Sequence, residues 1–165
     1  VTFLGMAQAD QEGNVNVTKF GRQVAGPGGF VNISQNSKKV VFCGNFTTGA
    51  ETEVRDGKLV IIKEGKGNKF VSQVDQVSFS GKYAAQINQP VVYVTERAVF
   101  TLEEGKLTLI EIAPGINLEK DVLALMEFKP AISPAFKTMD QGIFQPQWGK
   151  LQQIINEKNK KTRWS

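Results

Sequence analysis

Histidine is absent from this sequence of 165 residues, and cysteine occurs only once, at Cys43. Without histidine the chain contains no Ser-His-Asp or Cys-His nucleophilic system and no histidine general base. A single cysteine cannot form an intrachain disulfide, and it offers no Cys/His spacing that would hold a metal. Chemistry within the chain would therefore use carboxylates or backbone amides. We predict no metal site, and the lone cysteine indicates a reducing, cytoplasmic setting.

Long apolar runs and a strong charge imbalance are also missing. The net charge is +4, and much of it comes from a basic C-terminal end that contains Lys158, Lys160, Lys161 and Arg163. No basic stripe interleaved with aromatic residues occurs before it, and no apolar run approaches the roughly 20 residues that cross a bilayer. We expect neither nucleic acid nor a membrane as a partner. The length suits one domain, predicted at residues 1–145, followed by a C-terminal helix and basic tail at residues 146–165.

Apolar patterning predicts a series of β-strands. The runs that predict strands, in chain order, are residues 1–6, 15–17, 39–44, 58–63, 74–79, 91–94, 98–102 and 107–112. The third and fourth are continuously apolar, which is typical of buried central strands in α/β sheets. Short polar turns separate the last three, which therefore predict an antiparallel meander. The first two flank an Asp-x-x-Gly-Asn turn signal that predicts a β-hairpin.

Helical patterning is confined to short segments. They are residues 30–37, residues 82–88 before Pro90, residues 118–126 after a predicted N-cap at Asn117, and the segment of Leu151, Ile154 and Ile155. Residues 131–148 show little periodicity and predict an arm on the surface. Continuously apolar strands together with short helices are typical of an α/β fold.

A glycine-rich turn, Ala25-Gly26-Pro27-Gly28-Gly29-Phe30, precedes the first helical segment. Gly26, Gly28 and Gly29 lack the Cβ atoms that keep ligands away from the backbone, and they allow positive φ. Peptide N–H groups in such a turn can converge on one oxyanion or phosphate oxygen, and a helix N-terminus can add to them. Because the pattern also occurs in ordinary turns, the spacing alone leaves both interpretations open.

Three ordered stretches carry a family resemblance. They are Leu4-Gly5-Met6-Ala7-Gln8 with Gly13-Asn14-Val15-Asn16-Val17, then Gly26-Pro27-Gly28-Gly29-Phe30-Val31-Asn32-Ile33-Ser34-Gln35, and finally Glu96-Arg97-Ala98-Val99-Phe100 with Leu109-Ile110-Glu111-Ile112-Ala113-Pro114-Gly115. In this order they resemble the second half of family I coenzyme A transferases, the acetate or short-chain acyl-CoA:3-ketoacid CoA-transferases. The likeness runs from residue 1 to about residue 145, the C-terminal part of the family's β domain. The resemblance implies the fold of that domain, an α/β fold in which an open mixed sheet is flanked by helices.

The resemblance implies a ping-pong reaction. A glutamate carboxylate attacks the thioester of an acyl-CoA, a mixed anhydride forms, and CoA is then held as a glutamyl thioester until an acceptor acid takes it. The family's G-x-G-G-F element corresponds here to Gly26, Gly28, Gly29 and Phe30, which the resemblance implies form an oxyanion-hole and CoA-binding loop. Coenzyme A and acyl-CoA would be substrates, and no cofactor would be permanently bound.

The family's nucleophilic glutamate lies in an E-x-G-x-x-G motif that is missing from this sequence. Residues 103–108 begin like that motif but end in Thr108, and they suit a hairpin turn. Val1 opens directly into a strand-like run. We therefore expect the C-terminal portion of such an enzyme, incomplete on the N-terminal side of its sheet and inactive alone, with no catalytic residue of its own and the nucleophile upstream.

Two functions remain open at this level. In the first, the chain is part of a CoA-transferase of short-chain fatty acid or ketone body metabolism. Its partners would be acyl-CoA, a short-chain carboxylate and the N-terminal part of the same enzyme, and an exposed sheet edge favours a homo-oligomer. In the second, the same scaffold is a non-catalytic module that holds a CoA-like or phosphorylated ligand at the glycine loop.

Overall fold

The computed structural model describes residues 1–162, with side chains to residue 158. The strands are β1 (Thr2–Gly5), β2 (Gln8–Ala9), β3 (Val15–Asn16), β4 (Lys19–Phe20), β5 (Gln23–Val24), β6 (Val40–Cys43), β7 (Thr47–Thr48), β8 (Glu51–Arg55), β9 (Lys58–Lys63), β10 (Gly67–Asn68), β11 (Val91–Val94), β12 (Ala98–Glu103), β13 (Lys106–Ile112) and β14 (Ala131–Thr138). The α-helices are α1 (Phe30–Asn36), α2 (Gly81–Gln86), α3 (Leu118–Asp121) and α4 (Leu151–Thr162), and 3₁₀ turns occupy Leu123–Leu125 and Gln141–Phe144.

One six-stranded mixed sheet organises the chain, in the order β1-β6-β11-β12-β13-β14. β1, β6 and β11 run parallel, β11 to β13 form an antiparallel meander, and β14 adds to β13 in parallel. Four two-stranded ladders, β2-β3, β4-β5, β7-β10 and β8-β9, lie outside it. The predicted α/β fold with an open mixed sheet is confirmed, as are the meander and the central strand at residues 39–44.

The connection from β1 to β6 places the glycine loop at one edge of the sheet. Because β1 and β6 are parallel, the chain must return from the carboxyl end of β1 to the amino end of β6. The start of α1 lies toward the carboxyl ends, since Phe30 stacks on Phe42 near the end of β6 with ring centroids 5.8 Å apart. The end of α1 lies toward the amino ends, where Gln89 precedes β11 and donates to the Ser34 and Ser37 carbonyls. The loop therefore lies at the carboxyl edge, where open α/β sheets bind ligands.

Aromatic side chains fill the core beneath the sheet. Phe42 is fully buried and also contacts Phe79 and Tyr93, with centroid distances of 5.0 and 5.4 Å. A second group, Phe46, Phe70 and Phe100, is likewise buried, at centroid distances of 4.8 and 4.9 Å. Offset ring contacts of this kind add to the free energy of burying the rings. The second group fixes the connections before β7 and after β10 against the sheet.

Two strand predictions in the first half of the chain are wrong. The turn at residues 10–14 is where the sequence indicated, but β2 and β3 flank it, and β1 pairs with β6 instead. The run at residues 58–63 is not a central strand, because β9 pairs with β8 in a separate hairpin. Leu59 is buried there while Ile62 is half exposed, so this apolar run covers the core from outside the sheet.

Three further predictions need correction. Residues 74–79 form no strand: Val74 and Phe79 are buried, but Val77 between them is exposed. Residues 131–148 are not a surface arm throughout, because β14 forms an edge strand of the main sheet. Asn117 caps its helix as predicted, with Oδ1 accepting from Lys120 N at 2.9 Å, but α3 ends at Asp121. The predicted short helices near residues 30–37 and 82–88 and the C-terminal helix are confirmed, whereas the predicted basic tail beyond Lys158 falls outside the described side chains.

Candidate functional site

Asn16 holds the chain that leads into the glycine loop. Its fully buried amide donates from Nδ2 to Gln8 Oε1 and to the Lys19 carbonyl, both at 2.6 Å. Its Oδ1 accepts from the amides of Thr18 and Lys19, at 2.9 and 3.2 Å. A short polar side chain that bonds to backbone groups two and three residues ahead fixes a turn. Asn16 therefore sets the direction in which the β4-β5 hairpin leaves the domain.

Two further contacts secure that hairpin. Gly21, at its tip, donates from its amide to Asp75 Oδ2 at 2.9 Å. Ala25, just after β5, donates from its amide to the Thr18 carbonyl at 2.8 Å. The hairpin is thus held at its tip and at its base, although residues 21–29 are all exposed. The glycine loop begins from a fixed point rather than from a free strand end.

The glycine loop adopts the conformations that its composition predicted. Gly26 and Gly28 have φ of +77° and +51°, a region that residues with a Cβ rarely adopt. Gly29 has φ of −82° and precedes α1 directly. Among the described residues, no acceptor bonds to the amides of Gly26, Gly28 or Gly29. These three donors therefore face solvent at the carboxyl edge of the sheet.

Phe30 closes the loop as an anchor. Its side chain is buried against Phe42, and its amide donates to the Pro27 carbonyl at 3.0 Å. The N–H of Phe30 is therefore occupied within the loop. What Phe30 contributes to this site is the position of the three glycines before it, through the buried ring.

A buried arginine organises a second group of residues at the same edge. Arg97, which is fully buried, donates from Nη1 and Nη2 to the two Glu64 oxygens at 2.7 and 2.9 Å. Its Nε donates to Glu96 Oε1 at 3.1 Å, and its guanidinium lies 5.5 Å from the Phe46 ring centroid. Hydrogen bonds from Arg97, opposed by partial burial and supported by Thr47 and the Gly65 amide, lower the pKa of Glu64 from 4.5 to about 2. This network fastens the end of β9 to the turn between β11 and β12.

Lys69 lies beside this network, at the carboxyl ends of two parallel strands. A Cβ atom on Gly44, the residue after β6, would lie 3.8 Å from Lys69 Nζ and 3.1 Å from the carbonyl oxygen of Met6, the residue after β1. The Lys69 carbonyl accepts from the Ala9 amide at 2.8 Å. Burial lowers the pKa of Lys69, an effect that the charge of Glu96 partly offsets.

The sequence pointed to some of these residues and not to others. The glycines lie together where the motif placed them, and Asn16 and Arg97 fall within stretches that carried the resemblance. Asp75, Gln89 and Lys69 went unnoticed because each acts on residues distant in sequence. The turn predicted at residues 103–108 is confirmed, with Glu104 and Gly105 at positive φ.

Two properties of the described part concern partners and ions. Within residues 1–162, no helix is long and apolar enough to cross a membrane. Over the same residues, no group of three or more histidine, cysteine, aspartate or glutamate side chains is arranged to hold a metal ion. Cys43, at the end of β6, is a free and exposed thiol.

Comparison with known proteins gives close relatives. No protein-family model matches the chain. It is 54% identical over 162 residues to the caffeate CoA-transferase of Acetobacterium woodii, covering 95% of this chain and 31% of that protein. It is 51% identical over 145 residues to the acetate CoA-transferase YdiF of Escherichia coli K12, covering 87% of this chain and 27% of that protein.

Solved structures support the same relationship. The crystal structure of YdiF from Escherichia coli O157:H7 as a thioester complex with CoA matches with a TM-score of 0.85 and 50% identity, over 87% of this chain and 28% of that one. Glutaconate coenzyme A-transferase from Acidaminococcus fermentans, at 19% identity and a TM-score of 0.61, shares the fold over 92% of this chain and 55% of its own. The chain therefore belongs to the family I coenzyme A transferases, and it spans about 30% of the length of the curated relatives it matches.

Proposed function

We propose that the protein containing this chain transfers CoA between a short-chain acyl-CoA and a carboxylic or 3-keto acid. The observation that carries the proposal is the exposed loop of Gly26, Gly28 and Gly29, whose amides have no acceptor among the described residues. About half of the residues are shared with two named CoA-transferases, which supports the same reaction class. Because the chain spans about 30% of those relatives, we place the nucleophilic glutamate in a part of the protein outside these residues.

The loop would act as an oxyanion hole. When the glutamate carboxylate attacks the thioester carbonyl carbon, negative charge develops on the carbonyl oxygen. The amides of Gly28 and Gly29 can donate to that oxygen, because both residues are exposed, no acceptor among the described residues takes their N–H groups, and neither residue has a Cβ in the way. Donors held in place before the reaction stabilise the transition state without reorganising. Phe30 contributes by anchoring them.

The chemistry then balances over two half-reactions. Loss of CoA thiolate from the tetrahedral intermediate leaves a mixed anhydride between the glutamate and the acyl group. The thiolate attacks the glutamyl carbonyl, which releases the product acid and leaves a glutamyl-CoA thioester. An acceptor carboxylate reverses these steps and departs as acyl-CoA. CoA is a substrate in this scheme, and the protein needs no permanently bound cofactor.

Several finer features belong to the same proposal. The acid would be short-chain, as in fatty acid or ketone body metabolism, and the loop would complete its site with the remaining part of the same enzyme. β1 forms one edge of the sheet with Phe3 exposed, which supports association into a homo-oligomer. The free, exposed Cys43 supports a reducing cytoplasmic location.

The test is the covalent intermediate. Incubation of the full-length protein with acetyl-CoA should raise its intact mass by one CoA less one water, and added acetate should remove the increment. Gly28→Ala keeps the amide N–H but disfavours the positive φ that orients it, and should slow formation of the intermediate by up to about 10²- to 10³-fold, the cost when one oxyanion donor no longer reaches the oxygen. Gly49→Ala is the matched control, because Gly49 also has positive φ in open space but lies in another turn.

The outcomes separate the proposed reaction from its alternative. CoA binding without any mass increment would refute the transferase and favour a non-catalytic CoA-binding module. An equal loss of rate in Gly28→Ala and Gly49→Ala would refute the assignment of the glycine loop, because backbone strain alone would then explain both.

A further inference from the structure

We propose that the Lys69 ammonium group binds the carboxylate of the acid substrate. This assignment rests on the proposed function and adds to it a residue that the glycine loop does not supply. The acid must be bound twice, as the product of the first half-reaction and as the nucleophile of the second. A cation at the carboxyl edge of the parallel strands can serve both events.

The position of Lys69 is the first argument. Its Nζ lies against Gly44, directly after β6, and the Met6 carbonyl after β1 lies against the same glycine. The ammonium group is therefore at the carboxyl ends of two adjacent parallel strands, where open α/β sheets bind their ligands. Gly44 leaves room there, because a Cβ atom would crowd the Met6 oxygen at 3.1 Å.

The lack of a protein partner is the second argument. Among the described residues, Lys69 Nζ donates no hydrogen bond and forms no ion pair within 4.0 Å. The charge of Glu96 acts on Lys69, but Glu96 Oε1 accepts from Arg97 and Oε2 accepts from the Phe46 amide at 2.8 Å. A partly desolvated ammonium with three unused donors is costly unless something anionic meets it. A substrate carboxylate would do so.

The link between Lys69 and the glycine loop is the third argument. β2 lies between the two: Ala9 exchanges backbone hydrogen bonds with Lys69 and Val71 on one side, and Gln8 pairs with Asn16 on the other. Asn16 in turn directs the hairpin that leads to the loop. Lys69 and the loop are therefore connected through one short scaffold at the carboxyl edge.

The chemistry of the site favours a carboxylate over a phosphate of CoA. A single half-buried ammonium matches a compact monoanion, whereas phosphates are usually held by several donors or by arginine forks. Held through one oxygen by Lys69, the acid keeps its other oxygen free. That oxygen attacks the glutamyl thioester carbon, the C–S bond breaks, and the thiolate then takes the acyl group from the anhydride.

The experiment measures the second half-reaction alone in the full-length enzyme. The CoA-thioester form is made with acetyl-CoA, freed of small molecules, and mixed with increasing acetate while CoA loss is followed by intact mass. Lys69→Met should raise the acetate concentration for half-maximal rate by about 10- to 100-fold, the cost of one charge-assisted hydrogen bond. Lys69→Arg keeps the positive charge and should restore part of the lost acetate affinity. The acetyl-CoA dependence of thioester formation should stay within a few-fold.

The controls keep the outcomes distinct. Lys66→Met removes an exposed lysine three positions away and should leave the acetate dependence unchanged. An unaltered acetate dependence in Lys69→Met and Lys69→Gln would overturn the assignment while leaving the transferase standing. If Lys69→Met changed only the acetyl-CoA dependence of thioester formation, the assignment would be overturned in favour of a CoA phosphate as the ligand. If the rates of both half-reactions and the melting temperature all fell together, the assignment would be overturned in favour of a structural role for Lys69. If the unsubstituted enzyme forms no thioester, the proposed function itself fails.

Discussion

Replacing Glu64 with glutamine tests the network around the buried arginine. The substitution keeps the size and one oxygen of the side chain but removes its charge. Among the described residues, fully buried Arg97 then keeps only Glu96 as a charged partner. Because a buried cation that loses an anion is strongly destabilised, Glu64→Gln should lower the free energy of unfolding substantially.

The magnitude follows from the Glu64 carboxylate. A pKa lowered from 4.5 to about 2 corresponds to an upper limit of about 3 kcal/mol. The Glu64 side chain is 36% exposed, so solvent screens part of this, and we expect a loss of about 2 kcal/mol. For a domain of this size that corresponds to a fall of roughly 4–8 °C in melting temperature.

The lowered pKa of Glu64 also determines how its contribution to the free energy of unfolding varies with pH. The folded state depresses the pKa of Glu64, so its contribution is complete above pH 4.5 and is lost as the pH falls toward about 2. Urea unfolding should therefore show the full difference between Glu64→Gln and the unsubstituted protein at neutral pH. The difference between the two stabilities should shrink below pH 4.5 and disappear as the pH approaches about 2.

Glu51→Gln is the matched control. Glu51 pairs with Lys63 at 2.8 Å, but both side chains are 62% exposed, and such pairs contribute less than about 1 kcal/mol. The reasoning is refuted if Glu64→Gln costs no more than Glu51→Gln at neutral pH. It is also refuted if the Glu64 difference persists unchanged in acid.

Two substitutions test a close backbone approach and a buried hydrogen-bonding side chain. Gly81→Ala would place its Cβ on the Glu12 carbonyl oxygen, and we expect the free energy of unfolding in urea to fall by about 3 kcal/mol or more. In the control Gly5→Ala, the new Cβ meets no atom within 4 Å, and the free energy of unfolding should change by less than about 1 kcal/mol. Equal losses would contradict the close approach. Asn16→Ala leaves buried backbone groups without partners and should cost about 2–3 kcal/mol, whereas Asn36→Ala removes one exposed bond and should cost less than about 0.5 kcal/mol. A small loss for Asn16→Ala would show that water replaces its amide.

Local signals in the sequence predicted the elements that depend on neighbouring residues. Asn117 caps the helix it precedes, and Glu104 and Gly105 turn the hairpin they occupy, because caps and turns are decided within a few residues. The positive φ of Gly26 and Gly28 follows from the same local logic. Such features can be predicted from a single sequence, because the residues that decide them are neighbours in the chain.

Elements decided by distant contacts were mispredicted. β14 is mostly exposed and contains Pro134, so it lacks alternation, yet it pairs along one side with β13. The apolar spacing of Val74 and Phe79 predicted a strand. Instead, the Val74 amide donates to Asp10 Oδ2 at 3.4 Å, and the chain bends there. Likewise, Lys69 and Gly44 are 25 positions apart and come together only in the folded chain. No local sequence pattern could therefore predict their contact.

The order of the main sheet bears on how the chain folds. Short turns join β11, β12 and β13, so their pairing closes small loops at low entropic cost. The parallel pairs Thr2–Val40 and Val40–Val91 close much longer stretches of chain. We therefore expect the meander to form first, as a folding nucleus. β1 and the glycine loop that follows it in the chain should dock last. Phe100→Leu should slow refolding, while Leu4→Ala should mainly speed unfolding, and the reverse result in stopped-flow kinetics would exclude this order.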